Sequence, residues 1–142
     1  EPITARATLS NAMDVGNPSN LVRMLQLFQN KYEAVKNNVS SDTVTDNATL
    51  ETIKKVYQQY QYLLDPHGAV AYKALEDYLS DNKNQKGVIL ETAHPIKFPD
   101  AVKAAIDLDL EIPDSLKGLM KSEKISIQIK NNFAALKDFL ML

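Results

Sequence analysis

The densest gathering of reactive side chains in this sequence is Glu91-Thr92-Ala93-His94-Pro95-Ile96-Lys97-Phe98, which brings together a hydroxyl, an imidazole and an ammonium. It follows Gly87-Val88-Ile89-Leu90-Glu91, a short β-prone apolar run of the kind that forms a strand buried on both faces. Open α/β sheets bind ligands in the crevice beyond the carboxyl ends of their strands, so Thr92, His94 and Lys97 stand where a ligand would be met. The plainer account has Thr92 ending the strand, His94 satisfying a backbone carbonyl and Lys97 solvated, and residue types alone favour it. Asp65-Pro66-His67 is a second constellation. A metal or general-base role for His67 would need companions, and with 2 histidines and no H-E-x-x-H spacing the residues favour a structural reading. Asp65 as a helix cap and Pro66 at the first helical position account for the motif without chemistry. The third is Asn11-Ala12-Met13-Asp14-Val15-Gly16-Asn17-Pro18-Ser19-Asn20. A helix N-terminus preceded by glycine and amides can hold a phosphate, although a capped helix after a tight turn uses the same residues and is the better account.

Composition bounds what these residues can serve. The chain has 142 residues, 44% hydrophobic and 24% charged, which suits one globular domain. Its 16 Lys and Arg against 18 Asp and Glu leave a net charge of −2, which argues against a dedicated nucleic-acid surface. Tyr57, Tyr60 and Tyr62 therefore read as packing residues and not as a base-stacking set. No apolar run approaches the ~20 residues that span a bilayer. Cysteine is absent, which removes disulfides, thiolate catalysis and thiolate-bound zinc and fits a reducing, cytoplasmic location. The chain opens at Glu1 with neither an initiator Met nor a signal-peptide pattern, and reads as a piece of something longer.

The elements that must position the candidate residues follow from periodicity and punctuation. A first helix is expected from Pro18, capped by Asn17, with Leu21, Met24, Leu25, Phe28, Tyr32 and Val35 on one face. The polar run Asn37-Asn38-Val39-Ser40-Ser41-Asp42-Thr43 is a surface loop. A second helix follows Thr45 and Asp46, with Leu50, Ile53, Tyr57 and Tyr60 as its apolar stripe. Asp65-Pro66 opens a third, and Pro99-Asp100 a fourth with Val102, Ala105 and Ile106 inward. Ile125, Ile127 and Ile129 alternate with polar residues as a half-buried strand, and a last helix carries Phe133, Leu136, Phe139 and Leu140. Several helices packed on a few strands make an α/β layer, with too few strands for a complete sheet.

Three blocks of this sequence resemble, in order, signature stretches of the threonine synthase family. They are Thr8-Leu9-Ser10-Asn11-Ala12-Met13-Asp14-Val15-Gly16-Asn17-Pro18-Ser19-Asn20, the segment from Thr49-Leu50-Glu51-Thr52-Ile53 to Asp65-Pro66-His67-Gly68-Ala69-Val70-Ala71-Tyr72, and Thr92-Ala93-His94-Pro95-Ile96-Lys97-Phe98. The last is similar to the family's T-A-H-P-x-K-F element, and Asn132-Phe133-Ala134-Ala135-Leu136 resembles the family's ending. The resemblance implies a pyridoxal-phosphate enzyme of the tryptophan-synthase-β fold type, which converts O-phosphohomoserine and water to threonine and phosphate. The family's Schiff-base lysine lies in an S/F-K-D element, and its cofactor phosphate rests in a glycine-rich loop. Neither occurs here, and Lys97 matches the T-A-H-P-x-K-F lysine instead.

The resemblance therefore implies that residues 1–142 are one structural unit, the C-terminal fragment of such an enzyme, with the N-terminal catalytic portion lying elsewhere. It assigns no catalytic residue and no metal to the fragment. Thr92 is the implied cofactor-binding residue, its hydroxyl facing the pyridine nitrogen, while His94, Lys97, Asn11 and Asp14 shape the site. Alone, the fragment is expected to be inactive, to bind no cofactor and to self-associate along its unpaired edge. Two rival readings are a non-catalytic binding or regulatory domain of the same fold, and a different pyridoxal enzyme that keeps Thr92 but changes the substrate.

Overall fold

The computed structural model describes residues 3–141, so Glu1, Pro2 and Leu142 lie outside it, as do the side chains of Met13 and Met120. Where the sequence reads as one unit, contacts group the chain into two compact units, Glu1–Leu110 and Glu111–Leu142. The first holds a 3-10 turn at Asn11–Met13, then α1 (Leu21–Leu27), α2 (Tyr32–Asn38), α3 (Asp46–Tyr60) and α4 (Pro66–Asp81). A second 3-10 turn at Pro95–Lys97 leads into α5 (Pro99–Ile106). The second unit holds α6 (Asp114–Met120) and α7 (Phe133–Leu140).

Helix starts follow their local chemistry. Thr45 caps α3 by accepting from the Ala48 amide at 3.3 Å, Asp65 caps α4 with Pro66 inside its first turn, and Asn132 caps α7 by accepting from the Ala135 amide at 2.8 Å. The expected first helix is instead two. Gln29 and Asn30 adopt φ of 54° and 56°, a left-handed pair that breaks the periodic run between α1 and α2. Its cap position is Asn20 and not Asn17, and α6 had no counterpart in the periodicity.

The core of the first unit lies where α3 packs against α4 and α5. Ile53, Val56, Leu64 and Ala69 form its centre, with Leu63, Tyr72, Ile89 and Ala105 packed around them. Phe98, Ala101 and Val102 are buried as well. The buried face of α3 is Thr49, Thr52, Ile53 and Val56, rotated from the expected stripe, and Tyr60 is exposed. Two hydroxyls can enter this core because each bonds back along its own helix, Thr49 to the Thr45 carbonyl at 3.0 Å and Thr52 to the Ala48 carbonyl at 2.7 Å.

The expected strands are not formed among the described residues. Residues 87–91 carry no regular secondary structure, since no neighbouring strand pairs with their backbone and a strand exists only where a ladder satisfies its amides and carbonyls. Ile89 turns inward to the core while Val88 and Leu90 are 88% and 76% exposed. Residues 125–130 likewise carry no regular secondary structure, with Ile125, Ile127 and Ile129 exposed. The several helices of the expected α/β layer are present and its strands are not, because strands, unlike helices, cannot close their own hydrogen bonds.

The rotated face of α3 gives a direct test. Ile53→Ala removes a fully buried side chain and should cost about 2–5 kcal/mol of unfolding free energy in urea titrations. Tyr60→Ala, on the stripe that periodicity alone selects, should change it by roughly 0.5 kcal/mol or less.

Candidate functional site

The candidate site is built on the first turn of α4. Asp65 is fully buried, and its Oδ1 accepts from the His67 amide at 2.9 Å and from His67 Nδ1 at 2.6 Å. That arrangement gives His67 the Nδ1–H tautomer, fixed by the carboxylate it faces. Asp65 Oδ2 and His67 Nε2 are buried without a hydrogen-bond partner. The Asp65 amide donates to Glu91 Oε1 at 3.2 Å, which draws the end of the apolar run onto the start of the helix. Gly68 leaves room for this approach, since a Cβ on it would lie 2.3 Å from Glu91 Oε2.

The carboxyls of Asp65 and Glu91 are pushed in opposite directions. Burial and the adjacent Asp65 carboxyl raise Glu91 from 4.5 to about 7. For Asp65, burial acts upward, but hydrogen bonds from Glu91 and His67 outweigh it and hold the group below its ordinary value. Glu91 therefore holds its proton more tightly than a free glutamate does, close to a buried Asp65 oxygen that lacks a partner.

The loop that follows is held at its turn and at its far end. His94 Nδ1 accepts from the Ile96 amide at 3.1 Å, so His94 caps the 3-10 turn at Pro95–Lys97 and serves an amide, where the sequence suggested a carbonyl. Phe98 is buried, and its ring lies 5.0 Å from that of His67 at an interplanar angle of 58°. Thr92 and Lys97 are exposed, and among the described residues neither side chain has a hydrogen-bond or ion-pair partner. A free hydroxyl of this kind can donate or accept one hydrogen bond.

The N-terminal candidates are held by local bonds. Asp14 accepts from the Thr8 amide at 3.2 Å and the Thr8 hydroxyl at 2.7 Å, and Asn11 lies in the 3-10 turn between them. The Leu9 amide donates to Asp46 at 3.1 Å, tying this segment to the start of α3. The structure thus joins Thr92, His94 and Lys97 in one loop over α4, and engages Asp14 in closing its own turn. Periodicity missed Glu91 and Gly68. Their signal was a carboxylate ending an apolar run, together with a glycine one residue after Asp65-Pro66-His67.

Comparisons with known proteins converge on one family. The family model described as threonine synthase, C-terminal, matches residues 68–140. The threonine synthase of Haemophilus influenzae is 37% identical over 142 residues, covering 99% of this chain and 32% of that protein. The Escherichia coli K12 threonine synthase is 37% identical over 140 residues with the same shares. Among solved structures, Escherichia coli threonine synthase superposes with a TM-score of 0.84 at 37% identity, over 99% of this chain and 32% of that one. Pyridoxal-phosphate-bound threonine synthase from Brucella melitensis gives 0.68 at 27% identity, over 99% and 35%. The chain spans about a third of the length of these relatives.

The opposed carboxyls make stability depend on pH. Glu91 binds its proton more tightly when folded, so its contribution is complete below pH 4.5 and is lost as pH rises through about 7. Asp65 acts the other way, its contribution being lost only in acid below its ordinary 3.8. Solvent around exposed Glu91 screens the pair, so urea unfolding should show a decline on the order of 1 kcal/mol between pH 5 and pH 8. Glu91→Gln, which cannot ionise, should remove that decline.

Proposed function

The chain belongs to the threonine synthase family, matching its C-terminal part, and from this premise we propose that residues 1–142 form the C-terminal portion of a threonine synthase. The intact enzyme, a cytoplasmic carbon–oxygen lyase acting on a phosphate, would convert O-phosphohomoserine and water to threonine and inorganic phosphate. The observation that carries the reading is the superposition of 99% of the chain on a threonine synthase at 37% identity. The sequence Thr92-Ala93-His94-Pro95-Ile96-Lys97-Phe98 supports it independently.

In such an enzyme pyridoxal phosphate supplies an electron sink for negative charge developing at Cα and then Cβ of the substrate, which lets the γ-phosphate leave. Within this chain, Thr92 is the residue that would hold the cofactor, through its unpartnered hydroxyl and the ring nitrogen. A hydroxyl, unlike a carboxylate, leaves that nitrogen unprotonated and moderates its pull on electrons. His94 fixes the turn that follows Thr92, Lys97 places a cation at the end of that turn, and Asn11 and Asp14 shape the N-terminal loop. No residue here is assigned the covalent attachment of the cofactor, and that task falls to the remaining two thirds of the enzyme.

The same reading gives the unpaired segments a purpose. Residues 87–91 and 125–130 would become strands when the rest of the protein supplies neighbours, covering Val88, Leu90 and Ile125. Expressed alone, the chain should release no phosphate from O-phosphohomoserine and should self-associate in sedimentation velocity. A compact, cooperatively stable monomer would count against this account.

Thr92 gives the sharper test. In the full-length protein, Thr92→Val keeps the shape and removes the hydroxyl. Losing one such hydrogen bond should weaken cofactor affinity and slow phosphate release by about tenfold. Thr92→Ser should be much milder, and wild-type turnover and affinity in Thr92→Val would remove Thr92 from the site.

A further inference from the structure

The loop bearing Thr92 is tied at both ends to a single helical turn. At its start, Glu91 receives the Asp65 amide at 3.2 Å and fills the space a side chain on Gly68 would occupy. At its end, buried Phe98 packs on the His67 ring at 5.0 Å. Asp65 and His67 are themselves locked to one another at 2.6 Å. The loop between these anchors is closed by the His94 cap, so Thr92 follows directly on one anchor and has little slack.

We propose that the first turn of α4 positions the Thr92 hydroxyl, with Glu91 as a positioning residue that holds the loop by sharing a proton with Asp65 and releases it on ionisation. The inference rests on the reading of Thr92 as the residue facing the cofactor's ring nitrogen. Two geometric observations support the shared proton: the Asp65 amide holds the Glu91 carboxyl at 3.2 Å, and the second oxygen of Asp65 is buried without a partner. Asp65 Oδ2 is a buried acceptor with no partner, on a residue with no solvent exposure, and such an oxygen requires a donor. Glu91 is the acid beside it, and burial with the facing carboxyl keeps its proton on up to about pH 7. The charged or titratable groups that act on Glu91 are Asp65 and His67, both from the start of α4.

When Glu91 ionises, Asp65 Oδ2 loses its donor and an exposed carboxylate faces one that has no solvent exposure. The bond from the Asp65 amide survives, but repulsion opposes it, and the residue that moves is the exposed one. Glu91 moves, and Thr92 moves with it. The anchor at Phe98 and His67 is a packing contact, with ring centroids 5.0 Å apart, and stays. The loop then pivots about its far end, which misplaces a hydroxyl without unfolding the protein.

The test measures pyridoxal-phosphate dissociation constants by absorbance titration of the full-length protein from pH 6 to pH 8.5. It compares wild type, Glu91→Gln, Thr92→Val and the double variant, with thermal melts to confirm folding. The ratio of the constants for wild type and Glu91→Gln cancels the cofactor's own titration. That ratio should change by about three- to tenfold across pH 7, and in the Thr92→Val background it should be flat. Glu91→Asp, whose shorter side chain cannot reach Asp65, is the second variant should Glu91→Gln fail to fold; it should bind weakly throughout and lack the step. A ratio that does not vary with pH, or a step that persists without the Thr92 hydroxyl, overturns the positioning role while leaving the enzyme assignment intact. A wild-type protein that binds no pyridoxal phosphate at any pH overturns both.

Discussion

Asp65 is the buried charge around which the described core and the candidate loop are organised. A carboxylate with no solvent exposure is costly unless its oxygens are paired, and here the first turn of the helix supplies the pairing. The His67 amide and ring satisfy one oxygen, the positive end of the α4 dipole favours the charge, and the proton on Glu91 is available to the other. Those requirements fix neighbouring residue types. Pro66 is buried and starts the helix without an amide to satisfy, Gly68 cannot carry a side chain, and Leu64 and Ala69 on either side enter the core. The same charge that caps a helix therefore also fixes where the apolar run ends.

The rest of the molecule shows how little apolar surface this arrangement covers. Burial is concentrated where α3, α4 and α5 meet, whereas Val22, Leu27, Val88, Leu90, Ile125, Phe133 and Leu140 are all largely exposed. A polypeptide that leaves this much aliphatic and aromatic surface in water gives up the dominant favourable term in folding. The exposed residues are not scattered evenly. Val88 and Leu90 are exposed on either side of Ile89, which packs on the core, and the isoleucines of 125–130 occupy alternate positions. This pattern accords with a chain that spans about a third of the length of its relatives.

What the sequence disclosed was chemistry completed within one turn. Thr45 and Asp65 mark helix starts through bonds reaching three and two residues ahead, Pro66 and Pro99 through a fixed φ in the first helical turn, and each helix begins there. Features that depend on distant partners were hidden. The apolar periodicity from Leu21 to Val35 runs unbroken through Gln29 and Asn30, where the backbone turns left-handed and splits the helix. The expected apolar stripe of Leu50, Ile53, Tyr57 and Tyr60 leaves out Thr49 and Thr52, yet hydroxyls that bond back to their own helix can be buried. Strand pairing is the extreme case, since alternation describes a face and says nothing about whether a partner exists. Glu91 belongs to the same class, because its value comes from an aspartate 26 positions earlier in the chain.

The resemblance singled out Thr92 from a motif, and the structure offers a physical reason for choosing that residue among its neighbours. Glu91 is bonded to the start of α4, His94 spends its Nδ1 on a backbone amide, and Phe98 is buried against His67. Each of these side chains already has a structural task whose loss would let the loop drift. Among the described residues of this loop, Thr92 and Lys97 are the polar side chains without one. A hydroxyl kept free between the bonded Glu91 and His94 has given up freedom of position, and that is what binding a small rigid ring requires. Flexibility in the same loop would cost affinity each time the ring nitrogen had to wait for its donor. The proposed role of Thr92 rests on this division of labour between bonded neighbours and an unbonded hydroxyl as well as on its residue type.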